Sequence, residues 1–280
     1  MKAHETEVWG RGTVDAKSCV AAQTIAALDL LESSKFDLPD DALSLLFVVG
    51  EEVSGDGMRY FSNHKPTNYS AVIFGEPTEG KLAAGHKGYL TFVVKAKGKA
   101  AHSGYPWMGI SANVILVEAM ADLIALEKHL PSSEKFGNCT LNVGLIEGGV
   151  AANVVAESSD AKVSIRVAAG TIEELKSMVT DALAKAKHKA ESHGGSLDIE
   201  WIGAPRGPVD IDTDIKGFDT VTVNYGTDIP NLAGDHKRYL YGPGSILVAH
   251  SDHEHLKVSE LEQAVKDYQR LILATLGYEQ

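Results

Sequence analysis

Apolar and polar positions in the first third of the chain follow two different patterns. After Asp15, the stretch AKSCVAAQTIAALDLLES has apolar residues at helical spacing, which predicts a helix of about four or five turns. The runs ALSLLFVVG at residues 42–50 and YSAVIFG at residues 69–75 are almost continuously apolar, as buried parallel strands are. A helix-prone segment, DGMRYFSNH, separates them. This order of helix, strand, helix and strand predicts a doubly wound α/β layer.

A different pattern begins near residue 86 and continues to about residue 204. Its first strand, GYLTFVVKAKGK, alternates apolar and polar residues, as a strand with one solvated face does. Its last helix is opened by Thr171 with Glu174 three residues later, the sequence signature of a capping box. The other predicted elements are a helix over about residues 110–128, the strands CTLNVGLIEG and SDAKVSIRVA, the helix TIEELKSMVTDALAKAKHKAES and the strand GSLDIEWIG. This β-α-β-β-α-β order predicts an inserted α+β domain.

The remaining residues return to the first domain. A linker with the sequence APRGP is followed by DTVTVNYG and GSILVAH, which predict two further strands, and by a final helix, SELEQAVKDYQRLILATLG. The predicted organisation is a doubly wound α/β domain formed by residues 1–85 and 205–280, with an α+β domain at residues 86–204.

The composition narrows the class of partner. The chain has 280 residues, 44% of them hydrophobic and 23% charged, which is ordinary for a soluble globular protein. Its formal net charge of −12 argues against a nucleic-acid partner or an anionic membrane surface, since both require a basic patch. No apolar stretch approaches the length of a membrane span, and the two cysteines form no spaced framework. Eleven histidines, several of them beside acidic residues, are the first indication of metal chemistry.

Carboxylates follow both of the predicted parallel strands. Glu51 and Glu52 come directly after Gly50, and Glu76 comes after the glycine that ends the next strand. Ligand sites of open α/β sheets lie at these carboxyl ends, and two adjacent carboxylates repel each other unless positive charge is nearby. Both Glu51 and Glu52 reach one site only if the chain turns after Gly50, because neighbouring residues of a strand point to opposite faces. The alternative is a solvated acidic loop.

Asp15 and His250 complete a candidate metal-binding set. Asp15 precedes the first predicted helix, so it is either an N-cap residue or a carboxylate that bridges two cations. His250 ends the apolar run SILVAH, where a lone histidine is usually structural, and His253 and His255 lie beyond it in a polar, surface-like run. Three carboxylates and one imidazole at element ends are a donor set that suits zinc, cobalt or manganese.

The chain resembles the aminoacylase, acetylornithine deacetylase and carboxypeptidase S family of dinuclear zinc hydrolases. The resemblance lies in six stretches that follow family order: GRGTVDAKS, FVVGEE, GEPTEGKLAAGHKG, KAKGKAAHSGYPWMGISAN, GGVAANVVAESSDAKVSIR and YLYGPGSILVAHSDHE. TDIPNL followed by YLYGPG is most similar to the carboxypeptidase-like branch. The resemblance implies a catalytic domain at residues 1–85 and 205–280, and a lid and dimerisation domain at residues 86–204.

The resemblance also implies roles for the candidate residues. Asp15 matches the carboxylate that bridges two zinc ions in each subunit, and Glu51 matches the general base that activates water. Glu52 and His250 match ligands of one ion, and Glu76 matches a ligand of the other. The implied reaction is hydrolysis of a C–N amide bond, in which Glu51 takes a proton from water and later gives it to the leaving nitrogen.

Three residues of the lid domain are implied in substrate binding. His102 in AAHSGYP resembles a histidine that reaches the active site of a partner subunit and stabilises the oxyanion. Asn153 and Arg166 resemble residues that hold the substrate's carbonyl or carboxylate, and the bidentate fork of arginine suits that role. The alternatives are a loop histidine, a turn asparagine and a salt-bridged surface arginine. The lid also implies a homodimer.

One family motif is missing from the printed sequence. The family's first metal ligand is the histidine of an H-x-D motif upstream of the GRG-x-x-D stretch, and the residues before Asp15 contain no such motif. One metal position therefore keeps Asp15, Glu52 and His250, whereas the other keeps only Asp15 and Glu76, one ligand short of an ordinary zinc site. We expect the front of the catalytic domain to be absent, either through a shortened gene model or in a truncated relative.

These observations predict a zinc-dependent metallopeptidase, specifically a carboxypeptidase, that acts on small peptides or N-acyl amino acids. Two alternatives stay open: an N-acyl-amino-acid deacylase, and a catalytically impaired relative that acts as a dimerising or binding protein. The carboxypeptidase-like resemblance also implies a secreted or vacuolar protein, although no signal peptide is recognised in the printed sequence.

Overall fold

The computed structural model describes residues 6–33, 35–39 and 41–278. The helices in this part are α1 (Lys17–Glu32), α2 (Asp56–His64), α3 (Ala112–Leu126), α4 (Ile172–Ser192) and α5 (Val258–Thr275). The strands are β1 (Glu7–Trp9), β2 (Ala71–Gly75), β3 (Leu82–His86), β4 (Gly88–Lys97), β5 (Ala101–His102), β6 (Ser132–Ser133), β7 (Gly137–Asn138), β8 (Thr140–Gly148), β9 (Val154–Val155), β10 (Ser158–Val167), β11 (Ser196–Arg206), β12 (Val209–Asp210), β13 (Thr220–Val223), β14 (Lys237–Tyr241) and β15 (His255–Lys257). Short 3-10 helices lie at Pro106–Met108, Glu127–His129, Ile229–Asn231 and Ile246–Val248. No helix of the described residues is both long enough and apolar enough to span a membrane.

The chain divides into two compact units. Unit 1 comprises Met1–His86, Asp210–Val223 and Thr227–Gln280, and unit 2 comprises Lys87–Val209 and Asn224–Gly226. One long span of sequence thus forms most of unit 2, while unit 1 is assembled from segments on both sides of that span. Each unit combines helices with strands, so the fold is mixed α/β.

Unit 1 contains parallel strand pairs. β2 pairs with β14 in parallel, with Ala71 opposite Lys237 at one end and Gly75 opposite Tyr241 at the other. β3 pairs with β13, also in parallel. Parallel strands are joined by long crossover connections, and here those connections include helices and the whole of unit 2. The α/β character predicted for this part of the chain is confirmed.

Helices α1 and α5 pack against each other in the core of unit 1. Ala22 and Ala26 of α1 are fully buried, and so is Tyr268 of α5. Small side chains on α1 allow a close approach, and the Tyr268 hydroxyl donates a 2.6 Å hydrogen bond to the Tyr241 carbonyl at the end of β14. The helix predicted after Asp15 is therefore confirmed, and its burial holds it on the strands that carry the candidate site.

Residues 42–50 do not form the buried strand that the sequence predicts. No strand includes them in the part of the chain that the structure describes, and Leu45, Phe47 and Val49 are exposed. An apolar run forms a strand only where a neighbouring strand satisfies its backbone N–H and C=O groups. None of the described strands pairs with this run, so the prediction is wrong.

The strand predicted for GSILVAH is also wrong. The structure has a 3-10 helix at Ile246–Val248, and the Leu247 N–H donates a 3.4 Å hydrogen bond to the Ser245 side chain that caps it. Gly244, two residues before this helix, has a φ of +76°, which lies outside the extended region that a strand requires. The parallel partner of β2 is instead β14, which the apolar pattern did not single out.

Unit 2 is built on a four-stranded antiparallel sheet in the order β11-β4-β10-β8. Alternate residues of β4 and β10 are buried, among them Leu90 and Val163, and they form one core with α3 and α4. The long elements run in the order β4, α3, β8, β10, α4 and β11, so the predicted β-α-β-β-α-β order is confirmed.

The capping box at the start of α4 is present as the sequence predicts. The Glu174 N–H donates a 3.1 Å hydrogen bond to Thr171 Oγ1, and the Thr171 N–H donates a 2.8 Å hydrogen bond to Glu174 Oε2. These two bonds satisfy N–H groups that have no partner within the helix, which is why a short local motif was enough to locate this helix start.

Candidate metal centre

A tight turn of unit 1 carries Glu51 and Glu52. Gly50 has a φ of +76°, a left-handed conformation that favours glycine, and its carbonyl accepts hydrogen bonds from the N–H groups of Ser54 and Gly55 at 3.0 and 2.7 Å. The chain therefore turns directly after Gly50. Both glutamates line the same cavity, which the sequence analysis expected only if the chain turns after Gly50.

His250 lies in a turn that follows the 3-10 helix at Ile246–Val248. Its φ is +59°, an uncommon conformation for a residue other than glycine and one that is concentrated at functional sites. In this conformation, His250 Nε2 lies 3.1 Å from Asp15 Oδ2 and 3.1 Å from Glu52 Oε1. Three side chains that are distant in the sequence thus meet at one imidazole nitrogen.

Asp15 is not the N-cap of α1, which was the structural alternative for this residue. The residue in the N-cap position is Ala16, and the helix start has no side-chain capping hydrogen bond. The Asp15 carboxylate is instead directed to His250, and its side chain is only 12% exposed.

The titration of the cluster reflects its excess of negative charge. Burial raises the pKa of Asp15 above its usual range, the Glu52 carboxylate raises it further, and His250 lowers it. A hydrogen bond to Glu52 raises the pKa of His250, because the carboxylates favour the protonated imidazole. The raised pKa of His250 indicates a place where neighbouring carboxylates stabilise positive charge.

The donor set of this cluster fits a divalent cation. Asp15, Glu52 and His250 each offer one ligand atom, and these atoms all lie within 4.8 Å of one another. Carboxylate oxygen and imidazole nitrogen are ligands that zinc accepts, and three protein ligands leave a fourth position open for water or substrate. The side chains of Glu52 and His250 are exposed, so an ion can reach them from solvent.

Glu76 follows β2 and lines a cavity of about 1110 Å³ together with Asp15, Glu51 and Glu52. Its N–H donates a 3.3 Å hydrogen bond to the Tyr241 carbonyl, which holds Glu76 beside the end of β14. Burial raises the pKa of Glu76 well above its usual range, and Glu51 and Asp15 raise it further. Among the described residues, Glu76 belongs to no cluster of three potential ligands.

Glu51 has a pKa suited to acid–base chemistry near neutral pH. Burial raises the pKa of Glu51 from its ordinary 4.5 to about 7, and the carboxylates of Asp228 and Glu52 raise it as well. A general base is most effective when its pKa lies near the working pH. The two adjacent glutamates therefore differ in their surroundings, since Glu51 is half-buried and Glu52 is exposed.

Asp228 is a carboxylate of this cavity that the sequence analysis missed. It is buried, and its Oδ1 accepts a 2.7 Å hydrogen bond from Asn231 Nδ2. It lines the cavity with Glu51 and is one of the charges that raise the pKa of Glu51. A signal was available, because Asp228 follows the predicted strand DTVTVNYG closely, much as Glu51 and Glu76 follow theirs.

The remaining candidate residues lie in unit 2, and two of them are neighbours. His102 ends β5, opposite Val154 of β9, and its Nδ1 accepts a 3.0 Å hydrogen bond from the Gly104 N–H. The Asn153 carbonyl accepts a 3.0 Å hydrogen bond from the Ser103 N–H. The short β5–β9 pairing therefore brings His102 and Asn153 together, with both residues exposed.

Arg166 lies on a different element of unit 2. It is near the end of β10, where it pairs with Tyr89 of β4 on one side and Thr140 of β8 on the other, and its side chain is exposed. The pairing of β5 with β9 does not include it.

Comparison with known families and proteins shows which class of protein this chain is similar to. The peptidase dimerisation domain of the M20 family matches residues 84–191. A peptidase M20 domain-containing protein of Sordaria macrospora is 49% identical over 278 residues, which are 96% of this chain and 60% of that protein. A probable carboxypeptidase of Aspergillus clavatus is 50% identical over 281 residues, which are 96% of this chain and 66% of that protein.

Solved structures share the fold at low sequence identity. Aminopeptidase PepT from Bacillus cereus matches with a TM-score of 0.69 and 19% identity, over 93% of this chain and 70% of that one. Human carnosine dipeptidase 1 matches with a TM-score of 0.69 and 16% identity, over 98% of this chain and 75% of that one.

Fold and site together define a mixed α/β protein with a carboxylate–imidazole cluster, a candidate metal centre, in one unit and a match to a peptidase dimerisation domain in the other. About half of the aligned residues are identical to those of an M20 peptidase domain-containing protein and of a probable carboxypeptidase, over nearly the whole of this chain. It spans 60% and 66% of the length of the two relatives described above.

Proposed function

We propose that this protein is a zinc-dependent carboxypeptidase that hydrolyses the amide bond of small peptides or N-acyl amino acids. The observation that carries the proposal is the convergence of Asp15, Glu52 and His250 in unit 1, with Glu51 lining the same cavity as Asp15 and Glu52. Similarity to proteins named probable carboxypeptidases supports the choice of reaction.

Three residues would hold the first ion. Asp15 and Glu52 would contribute carboxylate oxygens and His250 the Nε2 nitrogen, since these atoms already face one another. When bound, zinc supplies a Lewis acid that polarises the carbonyl of the scissile amide. The Asp15 side chain is largely buried, which restricts its movement, whereas the side chains of Glu52 and His250 are exposed and accessible to an incoming ion.

Glu51 would move the proton that hydrolysis requires. Its carboxylate takes a proton from the attacking water, and the resulting carboxylic acid gives that proton to the leaving nitrogen as the C–N bond breaks. A pKa of about 7 makes both the carboxylate and the carboxylic acid form of Glu51 accessible near neutral pH, as a group that first accepts and then donates a proton requires.

Unit 2 would supply substrate contacts and the subunit interface. We assign oxyanion stabilisation to His102 and binding of the substrate's carbonyl or carboxylate to Asn153 and Arg166. All three side chains are exposed and therefore available to a substrate. The match of this unit to a dimerisation domain supports a homodimer.

One observation favours a second candidate function, a dimerising or binding protein without turnover. Glu76 is the ligand expected at the second metal position. Among the described residues, no further potential ligand joins Glu76 and Asp15 to form a group of three. A site for one ion could bind a carboxylate-containing ligand without completing hydrolysis. An N-acyl-amino-acid deacylase would use the same residues as the carboxypeptidase and differ only in substrate preference.

The test combines zinc binding with turnover. We expect the metal-depleted protein to bind zinc, and the zinc-loaded protein to release the C-terminal residue from an N-blocked dipeptide faster than it deacylates an N-acetyl amino acid. A Glu51→Gln variant should keep its zinc affinity and lose about 10²- to 10⁴-fold in rate, because the proton carrier is removed and the ligands are not. Glu262→Gln, an exposed change on α5, is the matched control.

Each result selects one function. Zinc binding without turnover of either substrate would favour the binding protein, and faster turnover of the N-acetyl amino acid would favour the deacylase. A near wild-type rate for Glu51→Gln would remove Glu51 from the role of general base.

A further inference from the structure

Glu254 is a buried carboxylate in a segment that otherwise faces solvent. It is only 2% exposed, although its neighbour His253 is largely exposed and Asp252 fully so. Burial of a carboxylate is costly unless donors compensate for the lost water. The partners of Glu254 therefore indicate why a glutamate occupies this position.

Those partners are the backbone of the loop that carries Asp15. Glu254 Oε1 accepts a 3.0 Å hydrogen bond from the Val14 N–H and a 3.2 Å hydrogen bond from the Asp15 N–H. The Glu254 carbonyl accepts a third, 3.0 Å hydrogen bond from the Gly10 N–H. Arg11 Nη1 approaches Oε2 at 3.6 Å. One residue thus holds both ends of the loop from Gly10 to Asp15.

The same segment also carries a potential ligand. His250 is four residues before Glu254, and strand β15, which begins directly after Glu254, pairs antiparallel with β1, so that His255 faces Trp9. The loop is therefore fixed at its start by strand pairing and at its end by the Glu254 carboxylate. Val14, next to Asp15, is fully buried, which leaves this end of the loop little freedom to move.

We propose that Glu254 is a positioning residue of the metal centre, which holds the Asp15 carboxylate in place opposite His250. This inference rests on the metal centre of the proposed function. Glu254 lies too deep to be a ligand itself, and it acts through the Asp15 backbone. Because ligand affinity depends on the orientation of each donor, loss of such an outer partner weakens metal binding by about 10- to 100-fold.

Two conservative variants separate the effect of side-chain length at position 254 from the effect of its charge. Glu254→Gln keeps the length of the side chain and an oxygen that accepts the Val14 and Asp15 N–H groups, but removes the charge. Glu254→Asp keeps the charge but withdraws the carboxylate by one methylene. We expect Glu254→Gln to bind zinc within about threefold of the wild type, and Glu254→Asp to bind it about 10- to 100-fold more weakly.

The measurement is the zinc dissociation constant by competition with a chromophoric chelator, together with the visible spectrum of the cobalt-substituted protein and the thermal midpoint. Glu262→Asp on α5 is the control. Equal zinc affinity for all three folded proteins would assign Glu254 a purely structural role and overturn the inference, as would tighter binding by Glu254→Asp than by Glu254→Gln. Failure of the wild type to bind zinc would instead overturn the proposed function, and this inference with it.

Discussion

The carboxyl group of Glu51 keeps its proton to a higher pH in the folded protein than in the unfolded chain. Burial is the main cause, and it raises the pKa of Glu51 from 4.5 to about 7. Below pH 4.5 both states carry the proton; as the pH rises above this value, the unfolded chain releases it first. The stability that Glu51 contributes is therefore fully present below its unfolded pKa and is lost as the pH rises through about 7.

This linkage predicts how the zinc-free protein responds to pH. We expect the free energy of unfolding by urea, measured with a chelator present, to fall from about pH 5 to about pH 7. In Glu51→Gln, which cannot ionise, the fall should be smaller, whereas Glu262→Gln should behave as the wild type. An unchanged pH slope in Glu51→Gln would contradict the assignment of the raised pKa.

At the scale of elements, the turn after Gly50 decides where two carboxylates point. Gly50 has a φ of +76°, and a Cβ there would meet Ser54 Oγ at 3.5 Å, an ordinary contact. The cost of an alanine is therefore one of backbone conformation and not of collision. Gly137 has a φ of +69°, with nothing within 4 Å of its Cβ position, so it offers the same backbone cost far from any candidate ligand in the sequence.

Alanine at these two glycines should separate stability from metal binding. Both Gly50→Ala and Gly137→Ala should lose about 1–2 kcal/mol of unfolding free energy, because L side chains disfavour the left-handed region. Only Gly50→Ala should also weaken zinc binding, by about tenfold or more, as the turn shifts Glu52. Urea unfolding and zinc competition measure the two effects, and wild-type zinc affinity in Gly50→Ala would show that the turn does not position Glu52.

The elements that the sequence predicted well are those with local signals. The capping box located the start of α4, and strict alternation located β4 and β10, because each signal is complete within a few residues. The runs at 42–50 and 244–250 were assigned to strands wrongly, since an apolar run becomes a strand only through a partner elsewhere in the chain.

The difference between local and long-range signals also explains which residues of the candidate site could be predicted from the sequence. Asp15, Glu51, Glu52, Glu76 and His250 were found because each lies in a recognisable local stretch. Glu254 stands in the same polar run as His253 and His255, and nothing local distinguishes it from them. Its burial depends on a loop 240 residues earlier in the chain, which the sequence pattern does not bring next to it.

At the scale of the whole molecule, strand β8 forms one edge of the unit 2 sheet among the described strands. β8 is the last strand in the order β11-β4-β10-β8, and Leu145 and Ile146 on it are about half exposed. Val117 of α3 is exposed as well. Exposed strand edges with apolar side chains favour pairing with another chain, which agrees with the match to a dimerisation domain.

We therefore expect a homodimer that a charge on this edge disrupts. The wild type should have about twice its monomer mass of 29.9 kDa by light scattering, and Ile146→Lys should shift the protein towards the monomer, because a buried lysine without a partner is costly. Thr180→Lys, on the exposed face of α4, adds the same charge and should leave the mass unchanged. A wild-type mass for Ile146→Lys would place the interface elsewhere.

The tether between Glu254 and the loop at Asp15 also sets an order of events during translation. Asp15 leaves the ribosome some 240 residues before the carboxylate that fixes its backbone, whereas the sheet of unit 2 is complete once Arg206 has emerged. Domains fold as their chain becomes available. We therefore expect a nascent chain to pass through an interval in which unit 2 is folded and the loop that carries Asp15 is still unanchored, so that the proposed metal site forms only after Glu254 has emerged.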